Sequence, residues 1–92
     1  MVNLTSIDLQ NNQIGGTFPT NIGQLSNLKN LSIQNNQISG TITPNIGMLK
    51  SLTHFYIQNN LISGLLPQEI GLLSKLQILD FSYNQFYSTL PG

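Results

Sequence analysis

Asparagine recurs at a fixed interval of 24 residues along this 92-residue chain, at Asn12, Asn36, Asn60 and Asn84. A fixed period of this length is typical of repeat architectures, and it constrains the fold more than any other feature of the chain. Aligning the chain on these asparagines brings the apolar residues into columns, such as Leu4, Leu28, Leu52 and Leu76, or Ile7, Leu31, Phe55 and Leu79. The pattern predicts a single domain over residues 1–92, built from four repeats at about 4–27, 28–51, 52–75 and 76–92.

The apolar spacing inside a repeat predicts a short strand. Ile7 and Leu9 alternate with Asp8, which is the period of a strand with one buried face. Stacked repeats bury their apolar rings against one another, and the equivalent strands then pair in parallel, about 4.8 Å apart. The asparagine column follows the strand, where its amides can bind backbone groups that the turn leaves unpaired. We therefore expect Asn36 and Asn60 to be buried, and their neighbours Asn35 and Asn59 to face water.

Two segments carry a resemblance to a known family. Residues 38–42, Ile-Ser-Gly-Thr-Ile, and residues 62–71, Ile-Ser-Gly-Leu-Leu-Pro-Gln-Glu-Ile-Gly, resemble the plant-type leucine-rich repeat of receptor-kinase ectodomains, receptor-like proteins and polygalacturonase-inhibiting proteins. The resemblance implies an α/β-type solenoid with a parallel sheet on its concave face. It also implies short second strands, with irregular or 3₁₀ turns on the convex side and little or no α-helix. For function, the resemblance implies a non-catalytic protein- or peptide-binding module, extracellular and part of a receptor or inhibitor.

The concave sheet face is the predicted ligand site. It is rigid and faces solvent, and exposed aromatic residues on such a surface are plausible anchors for a ligand. Aromatic, charged and apolar residues gather there in the last two repeats, and we assign the ligand site to these six: His54, Tyr56, Gln58, Ile78, Asp80 and Tyr83.

Two columns of amides lie beside these residues. Stacked amides can form hydrogen bonds along a solenoid. A regular polar array could recognise a repetitive ligand such as a glycan, a peptide backbone or ice, the last being bound by one plant-type repeat protein. Duplication of the repeat, which copies surface residues without selecting them, is the alternative explanation. The columns are Gln10, Gln34 and Gln58, and Asn11, Asn35 and Asn59.

Catalysis and metal binding find little support. Ser32, His54 and Asp80 fall on neighbouring strands, but no oxyanion donors, pocket or strained nucleophile turn accompany them. One histidine with one or two aspartates is too few ligands for a metal site. We therefore expect no enzymatic activity, no cofactor and no metal.

Composition excludes two classes of partner. Three Lys and Arg residues do not form the basic stripe that nucleic-acid binding needs, and no apolar run is long enough for a membrane span. There is no cysteine, hence no disulfide framework, and no stretch resembles a signal peptide. Two glycosylation acceptor motifs, at Asn3 and Asn30, are consistent with a secreted origin.

Neither end of the repeat pattern carries a polar cap. Met1 falls in the column of Leu25, and the pattern stops at Leu90-Pro91-Gly92, before its next apolar columns. Terminal repeats normally need a polar outer face, and open strand edges can pair with another chain. The alternative to a ligand-binding module is therefore a structural block whose chains stack end to end, as homo-oligomers or filaments.

Overall fold

The computed structural model describes residues 4–87. In this range the chain forms short strands and 3₁₀ helices, and no α-helix. The strands are β1 (Ser6–Asp8), β2 (Asn30–Ser32), β3 (Ser39–Gly40), β4 (His54–Tyr56), β5 (Leu61–Gly64), β6 (Ile78–Asp80) and β7 (Gln85–Phe86). The 3₁₀ helices are η1 (Ile22–Gln24), η2 (Pro44–Met48) and η3 (Gln68–Leu72). None of the helices in these residues is long and apolar enough to cross a membrane.

Equivalent strands of successive repeats pair in parallel. The larger sheet has the order β1-β2-β4-β6, and the second sheet has the order β3-β5-β7. In the larger sheet Ile7 pairs with Leu31, Leu31 with Phe55 and Phe55 with Leu79, so each step across the sheet advances one repeat. The predicted solenoid, with its concave parallel sheet, second strands and 3₁₀ turns, is confirmed.

The apolar columns form one continuous core between the sheets and the 3₁₀ helices. Phe55 and Ile57 are fully buried in the third repeat, and the Phe55 ring lies 6.4 Å from that of Phe18, which belongs to the first repeat. The same columns are open in the first and last repeats, where Leu9 is 46% exposed and Phe81 is 40% exposed. The apolar side chains of an inner repeat are therefore covered by the repeats on either side of it.

The asparagine column ties neighbouring repeats together. Asn60 is 5% exposed, and its amide donates to the carbonyls of Ile33, at 3.0 Å, and Ile57, at 3.1 Å. Its Oδ1 accepts from the backbone N–H of Ile38 at 3.0 Å, so one amide joins two repeats at two points. Asn36, 7% exposed, makes the equivalent bonds to the first repeat. The end members differ in burial, since Asn12 is exposed and bonds to Leu9 and Gln10 of its own repeat, while Asn84 is half-buried and bonds to Ile57 and Ile62.

The neighbouring asparagines are exposed as expected, but they do more than face water. Asn11, Asn35 and Asn59 are exposed, but they have φ values of 62°, 61° and 57°, in the left-handed region that asparagine tolerates better than most residues. Asn35 Nδ2 donates to Asn11 Oδ1 at 2.6 Å, and Asn59 Nδ2 donates to Asn35 Oδ1 at 2.8 Å. These three side chains form a hydrogen-bonded amide ladder, and the same residues turn the chain after each strand.

Candidate functional site

The last two strands of the larger sheet place aromatic and apolar side chains on the concave face. In β4, His54 and Tyr56 are half-buried, with their ring centroids 6.2 Å apart and their planes tilted by 34°. The Thr53 hydroxyl lies within hydrogen-bonding distance of His54 Nδ1, at 2.8 Å, and orients the imidazole at the start of β4. Ile78, the partner of His54 in β6, is 43% exposed. Two adjacent strands therefore present a mixed aromatic and apolar surface to solvent.

Asp80 adds a fixed negative charge to this surface. Its Oδ1 accepts hydrogen bonds from the Ser82 hydroxyl at 2.6 Å and from the Ser82 backbone N–H at 3.0 Å. Both bonds favour the charged form, the hydroxyl more than the N–H, and they hold the pKa of the Asp80 carboxyl below its ordinary value. Asp80 pairs with Tyr56 across the sheet, so the carboxylate and the phenol belong to one column.

Tyr83 stands where the three preceding repeats have a ladder asparagine. It is 79% exposed and has a φ of 55°. A large side chain in the left-handed region is uncommon and costs roughly 1–2 kcal/mol. Such strain is more often found at functional positions than elsewhere, so Tyr83 is a candidate binding residue on conformational grounds as well as on exposure.

The first two strands have a different surface. Asn30 Nδ2 donates to Asp8 Oδ1 at 2.9 Å, to Ser32 Oγ at 3.1 Å and to Ser6 Oγ at 3.2 Å. The Ser6 hydroxyl in turn donates to Asp8 Oδ2 at 2.9 Å. Ser32, at the centre of this network, is only 6% exposed. The polar groups at this end of the face bind one another, and the groups at the other end are more available to a ligand.

The glutamine column is only partly open to solvent. Gln10, Gln34 and Gln58 are half-buried, and the side-chain oxygen of each is enclosed without a hydrogen-bond partner in the described structure. These residues were expected beside the ligand site on the solvent-facing sheet, but their side chains are only partly exposed there. Gln58 remains beside the aromatic surface through its place two residues after Tyr56.

The structure does not bring the catalytic arrangement together. The Ser32 hydroxyl bonds to Asn30, the His54 ring bonds to Thr53, and the Asp80 carboxylate bonds to Ser82. Each of the three groups is thus engaged locally, and within residues 4–87 no hydrogen bond joins any two of them. Within residues 4–87 no group of three or more His, Cys, Asp or Glu residues could hold a metal ion.

The glycosylation motifs remain predictions. Asn3 lies outside the described residues. Asn30 is half-buried, and the Nδ2 atom that would carry a sugar donates to Ser6, Asp8 and Ser32. A glycan on Asn30 would therefore have to disrupt the polar network of the first two strands.

Sequence reasoning missed two features of the site. The bond from Ser82 to Asp80 and the left-handed backbone of Tyr83 were not predicted. The left-handed backbone of Tyr83 could have been predicted from the sequence. The equivalent residue is Asn in the three preceding repeats, and asparagine tolerates this conformation better than most residues. Tyr83 interrupts that column.

Comparison with known proteins places these features in a family. A family model described as Leucine Rich Repeat matches residues 3–25, 27–49, 51–73 and 75–92. No curated protein sequence matches the chain. Among solved structures, a plant peptide hormone receptor, RGFR1, in complex with RGF2 is 38% identical with a TM-score of 0.90, and the match covers 91% of this chain and 14% of that one.

Two further structures extend the comparison. The leucine-rich repeat ectodomain of the receptor kinase GASSHO1/SCHENGEN3 from Arabidopsis thaliana, in complex with CASPARIAN STRIP INTEGRITY FACTOR 2, is 29% identical with a TM-score of 0.93. The match covers 98% of this chain and 11% of that ectodomain. A plant ice-binding protein is 26% identical with a TM-score of 0.76, with 79% of this chain and 24% of that chain covered. The chain therefore spans a small part of the length of the structures it resembles.

Proposed function

This chain belongs to the leucine-rich repeat family, and from that membership we propose that it is a non-catalytic module that binds a protein or peptide on the concave face of its last two repeats. The observation that carries the proposal is the contrast along that face. At one end Ser6, Asp8, Asn30 and Ser32 satisfy one another, while at the other end Tyr56, Ile78 and Tyr83 offer aromatic and apolar surface to solvent. Large aromatic side chains on a rigid surface are effective binding anchors because little conformational entropy is lost when they are covered.

The similar structures support the same class of ligand. Two of them are described as plant receptors in complex with RGF2 and with CASPARIAN STRIP INTEGRITY FACTOR 2. We place this chain, by analogy, in an extracellular receptor or inhibitor of the plant type. Fold alone does not set function in such scaffolds. The proposed binding role therefore rests on the residues of the concave face, and only the extracellular location rests on the analogy.

Selection of peptides from a random display library on the immobilised chain tests the proposal. Peptides with measurable affinity should lose roughly 1–4 kcal/mol of binding free energy in Tyr56→Ala and in Tyr83→Ala. The matched control is Tyr87→Ala, because Tyr87 is also exposed, at 63%, but follows β7 of the second sheet. Equal losses at Tyr83 and Tyr87, or binding that survives both concave substitutions, would reject this placement of the site.

A second candidate function rests on the amide ladder. The bonds that join Asn11, Asn35 and Asn59 leave at least one N–H of each amide for a ligand, at intervals of one strand spacing, about 4.8 Å. Such an array suits a repetitive ligand, and one similar structure is described as a plant ice-binding protein. Thermal hysteresis of a solution of the chain measures ice binding directly. Its absence, or its persistence in Asn35→Ala, would remove this candidate.

A further inference from the structure

The charges of the chain are divided between its faces. The formal net charge is zero, from three lysines and three acidic residues. Two of the acids, Asp8 and Asp80, lie in strands of the concave sheet, and the third, Glu69, lies in η3. None of the lysines, Lys29, Lys50 and Lys75, lies in a strand of that sheet. The concave sheet is therefore negative and the remainder of the chain positive, which favours a cationic ligand on the sheet.

The two aspartates occupy the same position of the repeat but are engaged differently. Both carboxylate oxygens of Asp8 accept hydrogen bonds, Oδ2 from Ser6 and Oδ1 from Asn30, each at 2.9 Å. At Asp80 both bonds come from Ser82 and end on Oδ1, so that within residues 4–87 Oδ2 has no donor. No cation is among the causes that lower the pKa of Asp80. Asp80 thus keeps an ionised oxygen free, whereas the charge of Asp8 is already solvated by neighbouring donors.

Two tyrosines lie close to Asp80, one across the sheet and one along the chain. Tyr56 is the cross-strand partner of Asp80, about 4.8 Å away along the sheet, and Tyr83 follows Asp80 by three residues. A cation held by a carboxylate gains further from the face of a neighbouring aromatic ring. The backbone strain at Tyr83 also supports a binding role for this residue. An asparagine at the same backbone angle would be less strained and would extend the amide ladder.

We infer that Asp80, Tyr56 and Tyr83 form a subsite for a cationic side chain of the ligand, the arginine or lysine of an extended peptide. The inference rests on the proposed function and specifies its ligand. The carboxylate supplies the charge and the two rings form the walls. Tyr83 is retained at its unfavourable backbone angle because it completes this subsite.

A pair of blocked pentapeptides, Gly-Gly-Arg-Gly-Gly and the same peptide with citrulline in place of arginine, isolates the charge. Citrulline keeps the shape of arginine but carries no charge. Titration of each peptide into the ¹⁵N-labelled chain, followed by NMR, should give an arginine peptide that binds about threefold to tenfold more tightly than its citrulline analogue. The difference should shrink at high salt, because an exposed ion pair is screened.

Four variants separate the subsite from the rest of the face. Asp80→Asn should abolish the preference for arginine, while Asp8→Asn, the matched control, should leave it unchanged. Tyr83→Asn should raise the melting temperature and at the same time reduce the preference, whereas Tyr83→Phe should preserve it. A stabilised Tyr83→Asn variant with full preference for arginine would overturn the role assigned to Tyr83.

The perturbed residues distinguish failure of this inference from failure of the proposed function. Equal binding of the two peptides, with signal changes confined to residues 54–58 and 78–83, would overturn the cationic subsite and leave the concave binding surface in place. Changes confined to the convex side or to the second sheet would overturn both. Failure of the arginine peptide to perturb any signal of β4 or β6 would also overturn the subsite.

Discussion

Two adjacent asparagines in each of the first three repeats have different tasks, and the difference lies in the direction in which each side-chain amide points. Asn60 directs its amide into the chain, where it bonds to carbonyls of two repeats and accepts from a third residue, Ile38. Asn59 directs its amide outward to the ladder, and its backbone is left-handed, with a φ of 57°. The first residue satisfies buried backbone groups, and the second allows the chain to turn.

We predict that Asn60→Ala destabilises the chain more than Asn59→Ala. Removal of the Asn60 amide leaves buried backbone groups of Ile33, Ile38 and Ile57 unpaired, at about 1–3 kcal/mol for each group. Asn59→Ala should cost only about 1–2 kcal/mol, the penalty of alanine in the left-handed region. Urea denaturation measures both free energies of unfolding. As a control, Asn59→Gly should recover part of the loss, because glycine adopts this angle without strain. Equal losses for Asn59 and Asn60 would contradict the different tasks assigned here.

At Asp80 we predict an acid titration that depends on Ser82. The lowered pKa in the folded state means that the contribution of Asp80 to stability is present above its unfolded pKa and is lost as the pH falls through its folded pKa. The contribution is small, because Asp80 is only half-buried and solvent screens its charge. Ser82→Ala removes the hydroxyl donor and should move the pKa of Asp80 up toward its ordinary value, as followed by NMR of the carboxyl carbon. An unchanged pKa in that variant would contradict the assigned cause.

At the scale of the strand and turn, glycine allows successive repeats to approach closely. Gly16, Gly40 and Gly64 have φ values of 86°, 82° and 82°, close to the second sheet. A Cβ atom at Gly64 would lie 2.8 Å from Thr41 Cγ2 of the preceding repeat. Gly71 in η3 has open space around it and no positive φ. Glycine is thus required by backbone angle and by contact at Gly64, and by neither at Gly71.

Gly64→Ala should therefore lower the free energy of unfolding by about 1–3 kcal/mol, from backbone strain and from displacement of Thr41. Gly71→Ala should change it by no more than about 0.5 kcal/mol, as expected of an exposed position without special contacts. Thermal or urea denaturation of the two variants makes the comparison. Similar losses for both would mean that the close approach of the repeats at Gly64 is less restrictive than the structure indicates.

The elements show how far sequence reasoning reaches. The strands β1, β2, β4 and β6 follow from the alternation of apolar residues, because a buried face imposes that period. The second strands and 3₁₀ helices came from the family resemblance and not from an alternation of apolar residues. The burial of Ser32 and the bond between Ser82 and Asp80 depend on side-chain packing that an apolar pattern does not encode.

At the scale of the whole molecule, the core is covered only where a repeat has neighbours. Leu4 and Leu9 are 41% and 46% exposed, while Leu28 and Ile33 in the same columns are 0% and 5% exposed. An apolar hollow of about 280 Å³ opens among the first-repeat side chains, beside Leu9, Ile14 and Phe18. Covering such surface is favourable by about 25 cal/mol per Å². The similar structures give no support to end-to-end stacking, so the association stays a prediction from this exposed surface.

We predict that the 92-residue polypeptide, expressed by itself, increases in mean mass with concentration in light scattering. Leu4→Lys should reduce the increase, because it places a charge on the exposed apolar ring of the first repeat. The matched control is Leu61→Lys, since Leu61 is similarly exposed, at 47%, but lies in β5 of the second sheet. Circular dichroism verifies that both variants remain folded. A monomer at every concentration would contradict association and leave the ligand-binding surface unaffected.

The central claim is that the concave face of the last two repeats binds the ligand, and the most direct measurement is the footprint of a selected peptide on the unmodified chain. Mapping of backbone NMR signals during titration records every residue at once and requires no substitution. The account predicts that the largest changes fall at residues 54–58 and 78–83, with little change along η1, η2 and η3. A footprint centred on β1 and β2, or on the 3₁₀ helices of the convex side, would contradict it.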